Sequence, residues 1–250
     1  MLPNQIFSGN RAKFVLFGDS LTQTSFSPGG WGNLLADHYA RQVDVVSRGL
    51  SGYNTRWAKH ILPVVFAETQ APPPDLVTVF FGANDAALAD GPDARQHVPL
   101  DEYKSNLEAI VRHVEKMKSK HAVLITPPPV DGAAWANHHG STQGGNPEGP
   151  DRCSEETEKY ASACISVGEK MGYPVLDLFS LLGGKADWEK HLCDGLHFNQ
   201  KGHQFVFEML LALLREKFED LRSENMPLDF PLHSDIDHLN FASSLSIRKS

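Results

Sequence analysis

The stretch 75–81, Asp-Leu-Val-Thr-Val-Phe-Phe, constrains the fold more than any other part of the sequence. It is almost continuously apolar and rich in β-branched residues, which is typical of a strand buried on both faces. Such a strand lies in the middle of a parallel sheet, and a parallel sheet needs helices on both of its faces. The stretch therefore predicts an α/β fold.

Further apolar runs and helical patterns extend this prediction along the chain. The other predicted strands are 14–17, 43–46, 122–126 and 174–178. The spacing of apolar residues predicts helices at 31–39, 54–66, 101–118, 154–171 and 201–221. Strands that alternate with helices through right-handed crossovers form a three-layer α/β/α sandwich around a five-stranded parallel sheet. The segments 22–30 and 127–152 are predicted to be loops. The segment 127–152 is longer than most connections in a compact domain, so it is predicted to be a lid or mobile binding loop.

Length and charge narrow the classes of function. A chain of 250 residues can bury the core of one domain, predicted at 1–221 and followed by a polar tail at 222–250. The net charge of −8 weighs against nucleic acid as a partner. No apolar run approaches the ~18 residues that a membrane span requires, so stable membrane insertion is not expected.

The cysteines indicate the compartment. Cys153, Cys164 and Cys193 form an odd set without the spacing of a disulfide framework or a zinc site. Reduced structural thiols in a cytoplasmic protein are the simplest interpretation. The sequence leaves open whether the chain forms a homodimer.

Residues of catalytic type follow the predicted strands. Ser20, Gly52 and Asn84 come shortly after the first three strands, and Asp194 and His197 precede the last helix. The carboxyl ends of parallel strands meet at one edge of a sheet, so these residues are expected to converge there. Ser20 would attack an ester carbonyl, His197 would take and return its proton, and Asp194 would hold the imidazole. The backbone amides of Ser20 and Gly52 and the side chain of Asn84 would bind the oxyanion.

Each of these residues also has a structural interpretation. A serine after Gly-Asp often caps a helix, and Gly52 could serve a turn with positive φ. Asn84 could be a capping residue, and an Asp-x-x-His pair is usually solvated on a surface. It is their joint occurrence in order, each near a strand or helix end, that favours catalysis.

The same residues lie in blocks that carry a family resemblance. They resemble the SGNH, or GDSL, hydrolase superfamily in Gly18-Asp19-Ser20-Leu21, Gly52, Gly82-x-Asn84-Asp85 and Asp194-x-x-His197. Two stretches look most like the isoamyl acetate-hydrolysing esterases: Arg48-Gly49-x-x-Gly52-Tyr53-x-x-Arg56-Trp57-Ala58 and Asp194-Gly195-Leu196-His197-Phe198. The resemblance implies a flavodoxin-like fold and a serine esterase. Its implied site comprises the nucleophile Ser20, its partners Asp194 and His197, and the oxyanion hole of Ser20, Gly52 and Asn84.

The leading hypothesis is a serine carboxylester hydrolase that acts on small acetyl or short-chain acyl esters without a metal or other cofactor. Lipid degradation is the broader role implied by the resemblance. Alternatives are a sugar O-acetyl esterase, a lysophospholipase, a non-catalytic α/β binding module and a metal-dependent phosphoesterase. The complete set of site residues argues against the binding module, and the lack of an apolar lid or membrane-binding helix weakens the lysophospholipase.

Other residues invite weaker predictions. The histidine pair at 138–139 has no carboxylate at ligand spacing, so we expect it to be solvated rather than to bind a metal. Asp19 and Asp85 are expected to hydrogen-bond loop backbone. Phe26 and Trp135 are candidates for the wall of the acyl or alcohol pocket. The sequence does not decide whether the long loop or the tail acts as a lid.

Overall fold

The computed structural model describes residues 9–67, 72–143 and 151–245. Within them, the strands are β1 (Ala12–Gly18), β2 (Val43–Gly49), β3 (Leu76–Phe80), β4 (His121–Ile125) and β5 (Val175–Leu176). They form one five-stranded parallel sheet in the order β2-β1-β3-β4-β5. The predicted parallel sheet is confirmed, although β5 is only 2 residues long.

Helices connect the strands and cover both faces of the sheet. They are α1 (Ser20–Gln23), α2 (Trp31–His38), α3 (Thr55–Val65), α4 (Leu100–Lys116), α5 (Gly132–Gln143), α6 (Ser154–Met171), α7 (Leu178–Gly183), α8 (Gln200–Lys217) and α9 (Phe241–Ser244). Helices α2 and α8 pack on one face, and α3, α4 and α6 pack on the other. The predicted three-layer sandwich is therefore confirmed.

The central strand β3 contributes to a separate hydrophobic core on each face. Leu76 and Phe80 pack in the core formed with α2 and α8, whereas Val77 and Val79 pack in the core formed with α3, α4 and α6. Successive side chains of a strand point to opposite faces, so both faces of β3 are buried. Its residues are buried along the whole strand, as the apolar run predicts.

The strand order determines where a site can form. The chain moves from β1 to one neighbour, β2, and then crosses to the other neighbour, β3. In open α/β sheets, ligands bind beyond the carboxyl ends of the strands at this kind of reversal. Ser20 follows β1 directly and Asn84 follows β3 closely, so both lie at the reversal point.

The prediction of an irregular loop at 127–152 is wrong for its middle part, where α5 forms. The side chain of Asp131 accepts a hydrogen bond from the amide of Ala134 at 3.0 Å, and its carbonyl accepts one from the amide of Trp135 at 2.9 Å. A capping aspartate before an alanine-rich turn starts a helix. The Gly, Asn and His residues that follow conceal this signal.

The segment 22–30 is also more regular than predicted. It begins inside α1, because the chain enters a helix directly after β1. Thr24–Phe26 then form a 3-10 turn before the chain reaches α2. The polar composition that suggested a loop therefore belongs in part to a capped helical turn.

The beginning of the tail packs on the domain. Asp229 is 8 % exposed and forms ion pairs with Arg11 at 2.9 Å and Arg41 at 3.1 Å. These contacts hold that part of the tail beside the β2 edge of the sheet. The division into a hydrolase domain at 1–221 and a tail at 222–250 stays a prediction.

The described parts of the chain contain no helix that is both long and apolar enough to span a membrane. The three cysteines are free thiols, of which Cys164 is buried and Cys193 is exposed.

Candidate active site

Ser20 lies on a sharp turn where β1 meets α1. Asp19 caps the helix, and its Oδ1 accepts a hydrogen bond from the amide of Leu21 at 2.9 Å. A Cβ atom at Gly18 would lie 2.5 Å from the carbonyl oxygen of Phe80, so the close approach of β1 to β3 requires glycine there. The turn holds Ser20 in a nearly buried position, 6 % exposed, beyond the end of the sheet.

The loop before α8 supplies a base and a carboxylate to this serine. Nε2 of His197 lies 2.9 Å from Oγ of Ser20, and Nδ1 of His197 lies 2.6 Å from Oδ2 of Asp194. The other carboxylate oxygen of Asp194 accepts hydrogen bonds from the backbone amides of His197 at 2.7 Å and Leu196 at 2.9 Å. When Nδ1 donates its proton to Asp194, Nε2 is free to accept the serine proton. The three side chains can therefore convert Ser20 into a nucleophile.

Asp194 is held in its ionised form. Burial raises its pKa, but the hydrogen bonds from the His197 side chain and backbone outweigh burial and lower the pKa to about 2. The carboxylate is therefore charged at neutral pH, and its charge favours a positive imidazole next to it.

Helix α5 fixes the loop that carries Asp194 and His197. Gly195 has φ +97°, and its carbonyl accepts a hydrogen bond from the amide of Asp131 at 2.8 Å. A Cβ atom at Gly195 would clash with the carbonyl oxygen of Asp131, so both the space and the backbone conformation require glycine. The ring of Trp135 meets the ring of His197 edge-on at 5.6 Å. Trp135, a predicted wall residue, thus contacts the histidine, but it is not among the described residues that line the cleft at Ser20.

The other two predicted site residues are linked through Tyr53. Asn84 is 3 % exposed, and its Nδ2 donates to the carbonyl of Tyr53 at 2.9 Å. An amide nitrogen carries two hydrogens, so this bond uses one of them. Gly52 precedes Tyr53 and has φ +78°, a conformation that favours glycine. All five predicted residues thus lie at the carboxyl edge of the sheet, three in one hydrogen-bond chain and two on neighbouring loops.

Two buried carboxylates hold these loops in place. Oδ1 of Asp85 accepts hydrogen bonds from the amide of Thr55 at 3.0 Å and from its hydroxyl, which joins the β3 loop to the start of α3. Burial raises the pKa of Asp85 to about 7, against the opposing effect of these hydrogen bonds. Burial likewise raises the pKa of Asp19 to about 7. Both side chains accept hydrogen bonds from backbone amides, but these amides lie in the first turns of α1 and α3 and not in loops as predicted.

The structure adds two residues that the sequence prediction missed, Arg152 and Gln96. The guanidinium of Arg152 lies 3.2 Å from Oδ1 of Asn84 and also donates to Oε1 of Gln96. The side-chain amide of Gln96 in turn donates to the carbonyl of Gly52 at 3.3 Å. Arg152 is 68 positions from Asn84 and belongs to no recognisable motif, so nothing in the local sequence identifies it.

A cleft of about 480 Å³ opens at Ser20, a size in the range of small-molecule sites. Its lining includes the polar side chains of Thr24, Ser27, Ser51, Asn199 and Gln200. Phe26 is a predicted wall residue, but in the described part of the chain the lining includes its neighbour Ser27 and not Phe26 itself.

The histidine pair lies on α5. The ring of His138 stacks on Trp135 at 6.3 Å, and the side chain of His139 lies outside the described residues. Among residues that the structure describes, no group of three or more His, Cys, Asp or Glu side chains is placed to hold a metal ion.

Residues 16–205 match the model of the GDSL-like lipase/acylhydrolase family. A GDSL esterase/lipase of Arabidopsis thaliana is 45 % identical over 233 residues, which cover 92 % of this chain and 96 % of that protein. The isoamyl acetate-hydrolyzing esterase 1 homolog of Homo sapiens is 41 % identical over 227 residues, which cover 90 % of this chain and 88 % of that protein.

Solved structures share the fold. The lipase/acylhydrolase from Enterococcus faecalis superposes with a TM-score of 0.63 at 25 % identity, over 82 % of this chain and 96 % of that one. A catalytic mutant of an acetylxylan esterase from Geobacillus stearothermophilus gives a TM-score of 0.60 at 22 % identity, over 88 % of this chain and 99 % of that one. The second likeness concerns the fold alone.

Proposed function

The chain belongs to the GDSL-like lipase/acylhydrolase family and is a carboxylic ester hydrolase, and we propose that it cleaves small acetyl or short-chain acyl esters through an acyl-enzyme on Ser20. The observation that carries the mechanism is the hydrogen-bond chain from Ser20 through His197 to Asp194, with distances of 2.9 and 2.6 Å. The relatives named for isoamyl acetate hydrolysis and the modest size of the cleft support a small ester as substrate.

In the acylation half, Oγ of Ser20 attacks the ester carbonyl carbon while its proton moves to Nε2 of His197. Asp194 stabilises the imidazolium that results. When the tetrahedral intermediate collapses, the bond to the alcohol oxygen breaks and His197 returns the proton to the leaving alcohol. The acyl group remains on Ser20.

In the deacylation half, water attacks the acyl-enzyme and gives its proton to His197. Ser20 then leaves as a hydroxyl, taking the proton back, and the acid is released. In both halves the oxyanion is bound by the amides of Ser20 and Gly52 and by the free hydrogen of the Asn84 side chain. Loss of one such donor costs on the order of 10²- to 10³-fold in turnover.

A sugar O-acetyl ester is the second candidate substrate, since the cleft includes hydroxyl and amide side chains that can bind a hydroxylated alcohol. The proposed partner is a small ester. The role in lipid degradation and the cytoplasmic location stay predictions from the sequence, which leaves open whether the chain forms a homodimer.

The proposal is tested with the p-nitrophenyl esters of acetate, butyrate and octanoate, each with and without EDTA. We expect chelator-insensitive hydrolysis, fastest on acetate or butyrate, that disappears in Ser20→Ala. Ser166→Ala is the matched control, because Ser166 is exposed on α6 and donates only to the carbonyl of Ser162 at 3.0 Å. Hydrolysis that survives in Ser20→Ala, or that EDTA abolishes, would overturn the mechanism.

A further inference from the structure

Arg152 is a fully buried cation beside the candidate active site, with a side chain 2 % exposed. A buried charge is costly unless it is paired and hydrogen-bonded. Here its Nη1 lies 2.5 Å from the carboxylate of Asp151 and 3.7 Å from that of Asp93. The acidic pair explains how the charge is tolerated. It does not explain the remaining contacts of the guanidinium, which are directed at the site.

The first set of contacts reaches the β3 loop. Nε of Arg152 donates to the carbonyl of Ala83 at 3.2 Å, and Nη2 donates to Oδ1 of Asn84 at 3.2 Å. Because a guanidinium only donates hydrogen bonds, the Asn84 side chain must turn its carbonyl oxygen toward Arg152. The Nδ2 end must then face Tyr53, so the second hydrogen of Asn84 has a defined direction. A charge-assisted bond to the amide oxygen also makes its N–H groups better donors.

The second contact reaches the β2 loop through Gln96. The guanidinium binds Oε1 of Gln96, which orients Nε2 toward the carbonyl of Gly52. The backbone carbonyl of Gln96 accepts a further bond from Asn54, the cap of α3, at 2.8 Å. Gln96 therefore links Arg152 to the turn that carries Gly52 at two points, the carbonyl of Gly52 and the side chain of Asn54.

The third contact reaches Trp135 on α5, which lies beside His197. The guanidinium carbon of Arg152 lies 5.2 Å from the centre of the Trp135 ring, in cation–π geometry. The same Trp135 ring meets the ring of His197 edge-on, with the ring centres 5.6 Å apart. One guanidinium thus contacts the β3 loop and α5 directly and is linked to the β2 loop through Gln96.

We propose that Arg152 is the positioning residue of the oxyanion hole, which orients Asn84 directly and Gly52 through Gln96. This inference rests on the proposed function, because it concerns the direction of two donors, Asn84 and Gly52, that the proposed function places in the oxyanion hole. An arginine is required because its planar group with five N–H donors serves several acceptors at once, which a lysine ammonium on a flexible stem does not. The oxyanion exists only in the transition states and intermediates, so misplaced donors lower kcat and leave KM nearly unchanged.

The test compares Arg152→Lys with Asn84→Ala and with the double variant on p-nitrophenyl acetate. We expect Arg152→Lys to lower kcat roughly 10- to 100-fold, less than the ~10²- to 10³-fold loss of a whole donor, with KM within about threefold. In the Asn84→Ala background, Arg152→Lys should lower kcat by less than about a further threefold, because the effects of residues that act as a unit are not additive.

Arg41→Lys is the matched control. Arg41 also makes several guanidinium contacts, to Asp229 and to the carbonyls of Phe230 and Pro231, but on the tail side of the domain. It should lower the melting temperature without changing kcat. If Arg152→Lys does not fold, Gln96→Met removes the link to Gly52 while the Arg152–Asp151 pair stays, and it should lower kcat about tenfold.

The inference fails if Arg152→Lys, or Gln96→Met where the lysine variant does not fold, keeps kcat within twofold of the wild type. It also fails if the losses of Arg152→Lys and Asn84→Ala multiply in the double variant, or if KM rises while kcat stays. These outcomes differ from failure of the proposed function, which is marked by hydrolysis in Ser20→Ala.

Discussion

Replacement of Asp194 by asparagine tests the hydrogen-bond chain without removing volume. One oxygen of Asp194 accepts two backbone amides, from Leu196 and His197, so the oxygen of the new side-chain amide must take that position. The NH₂ group then faces Nδ1 of His197. Two donors cannot bond to each other, so the imidazole must place its proton on Nε2. A protonated Nε2 cannot accept the proton of Ser20.

Two magnitudes follow for Asp194→Asn. The wrong tautomer of a catalytic histidine lowers turnover on the order of 10³- to 10⁴-fold, or about 4 to 5.5 kcal/mol in activation free energy. The effect on stability is smaller. Folding lowers the pKa of Asp194 from its ordinary 3.8 to about 2, so the ionised carboxylate contributes about 2 kcal/mol to the free energy of unfolding. Because the folded pKa is depressed, this stabilisation is present above about pH 4 and is lost as the pH falls through 2.

The assay measures kcat and KM on p-nitrophenyl acetate, together with urea unfolding at pH 7. Asp187→Asn is the matched control, because Asp187 also pairs with a cation three positions on, Lys190 at 2.7 Å, but on the exposed surface. The control should keep wild-type kcat. If Asp194→Asn keeps kcat within tenfold of the wild type while it remains folded, the role given to Asp194 is wrong.

Two further variants test the supports of the site. Gly195→Ala should lower kcat and should lower the free energy of unfolding by about 2 kcal/mol or more beyond the loss in Gly172→Ala. Gly172 is the control because it has a similar positive φ but no atom within 4 Å of the new Cβ. Equal losses of the two variants in urea unfolding would contradict the predicted clash. As the pH rises from about 5 to about 8, the free energy of unfolding of Asp85→Asn in urea should increase relative to that of the wild type, on the order of 2 kcal/mol. The folded pKa of Asp85 is raised to about 7, so its carboxyl stabilises the fold fully below about pH 4 and loses that contribution as the pH rises through 7. A difference in stability that does not change with pH would count against this buried carboxyl.

Much of the scaffold could be predicted because its signals are local. The apolar run that forms β3 defines a strand buried on both faces, and the capping residue Asn54 marks the start of α3 as predicted. Ser20 and Asn84 could be placed near one another because each follows a strand of the same parallel sheet. Their roles in catalysis remain proposals that the variants above examine.

The surroundings of the site could not be predicted, because they depend on contacts between distant parts of the chain. Arg152 becomes recognisable only when β3, the Gln96 turn and α5 are brought around it. Helix α5 itself begins with a local signal, the cap at Asp131, but the glycine and histidine residues after it hide the pattern. The close approach of Gly195 to Asp131 likewise exists only in the folded chain.

Ser20 is the proposed nucleophile, and covalent trapping can identify the nucleophile by its modification. The protein is incubated with diethyl p-nitrophenyl phosphate, which phosphorylates activated serines and releases p-nitrophenol. The modified residue is then located by peptide mass spectrometry in the wild type, Ser20→Ala and Ser166→Ala. We expect one adduct, on Ser20, that forms in proportion to the loss of esterase activity in the wild type and in Ser166→Ala. Loss of activity with Ser20 unmodified, or an adduct that still forms in Ser20→Ala at the same rate, would contradict the role of Ser20 as the nucleophile.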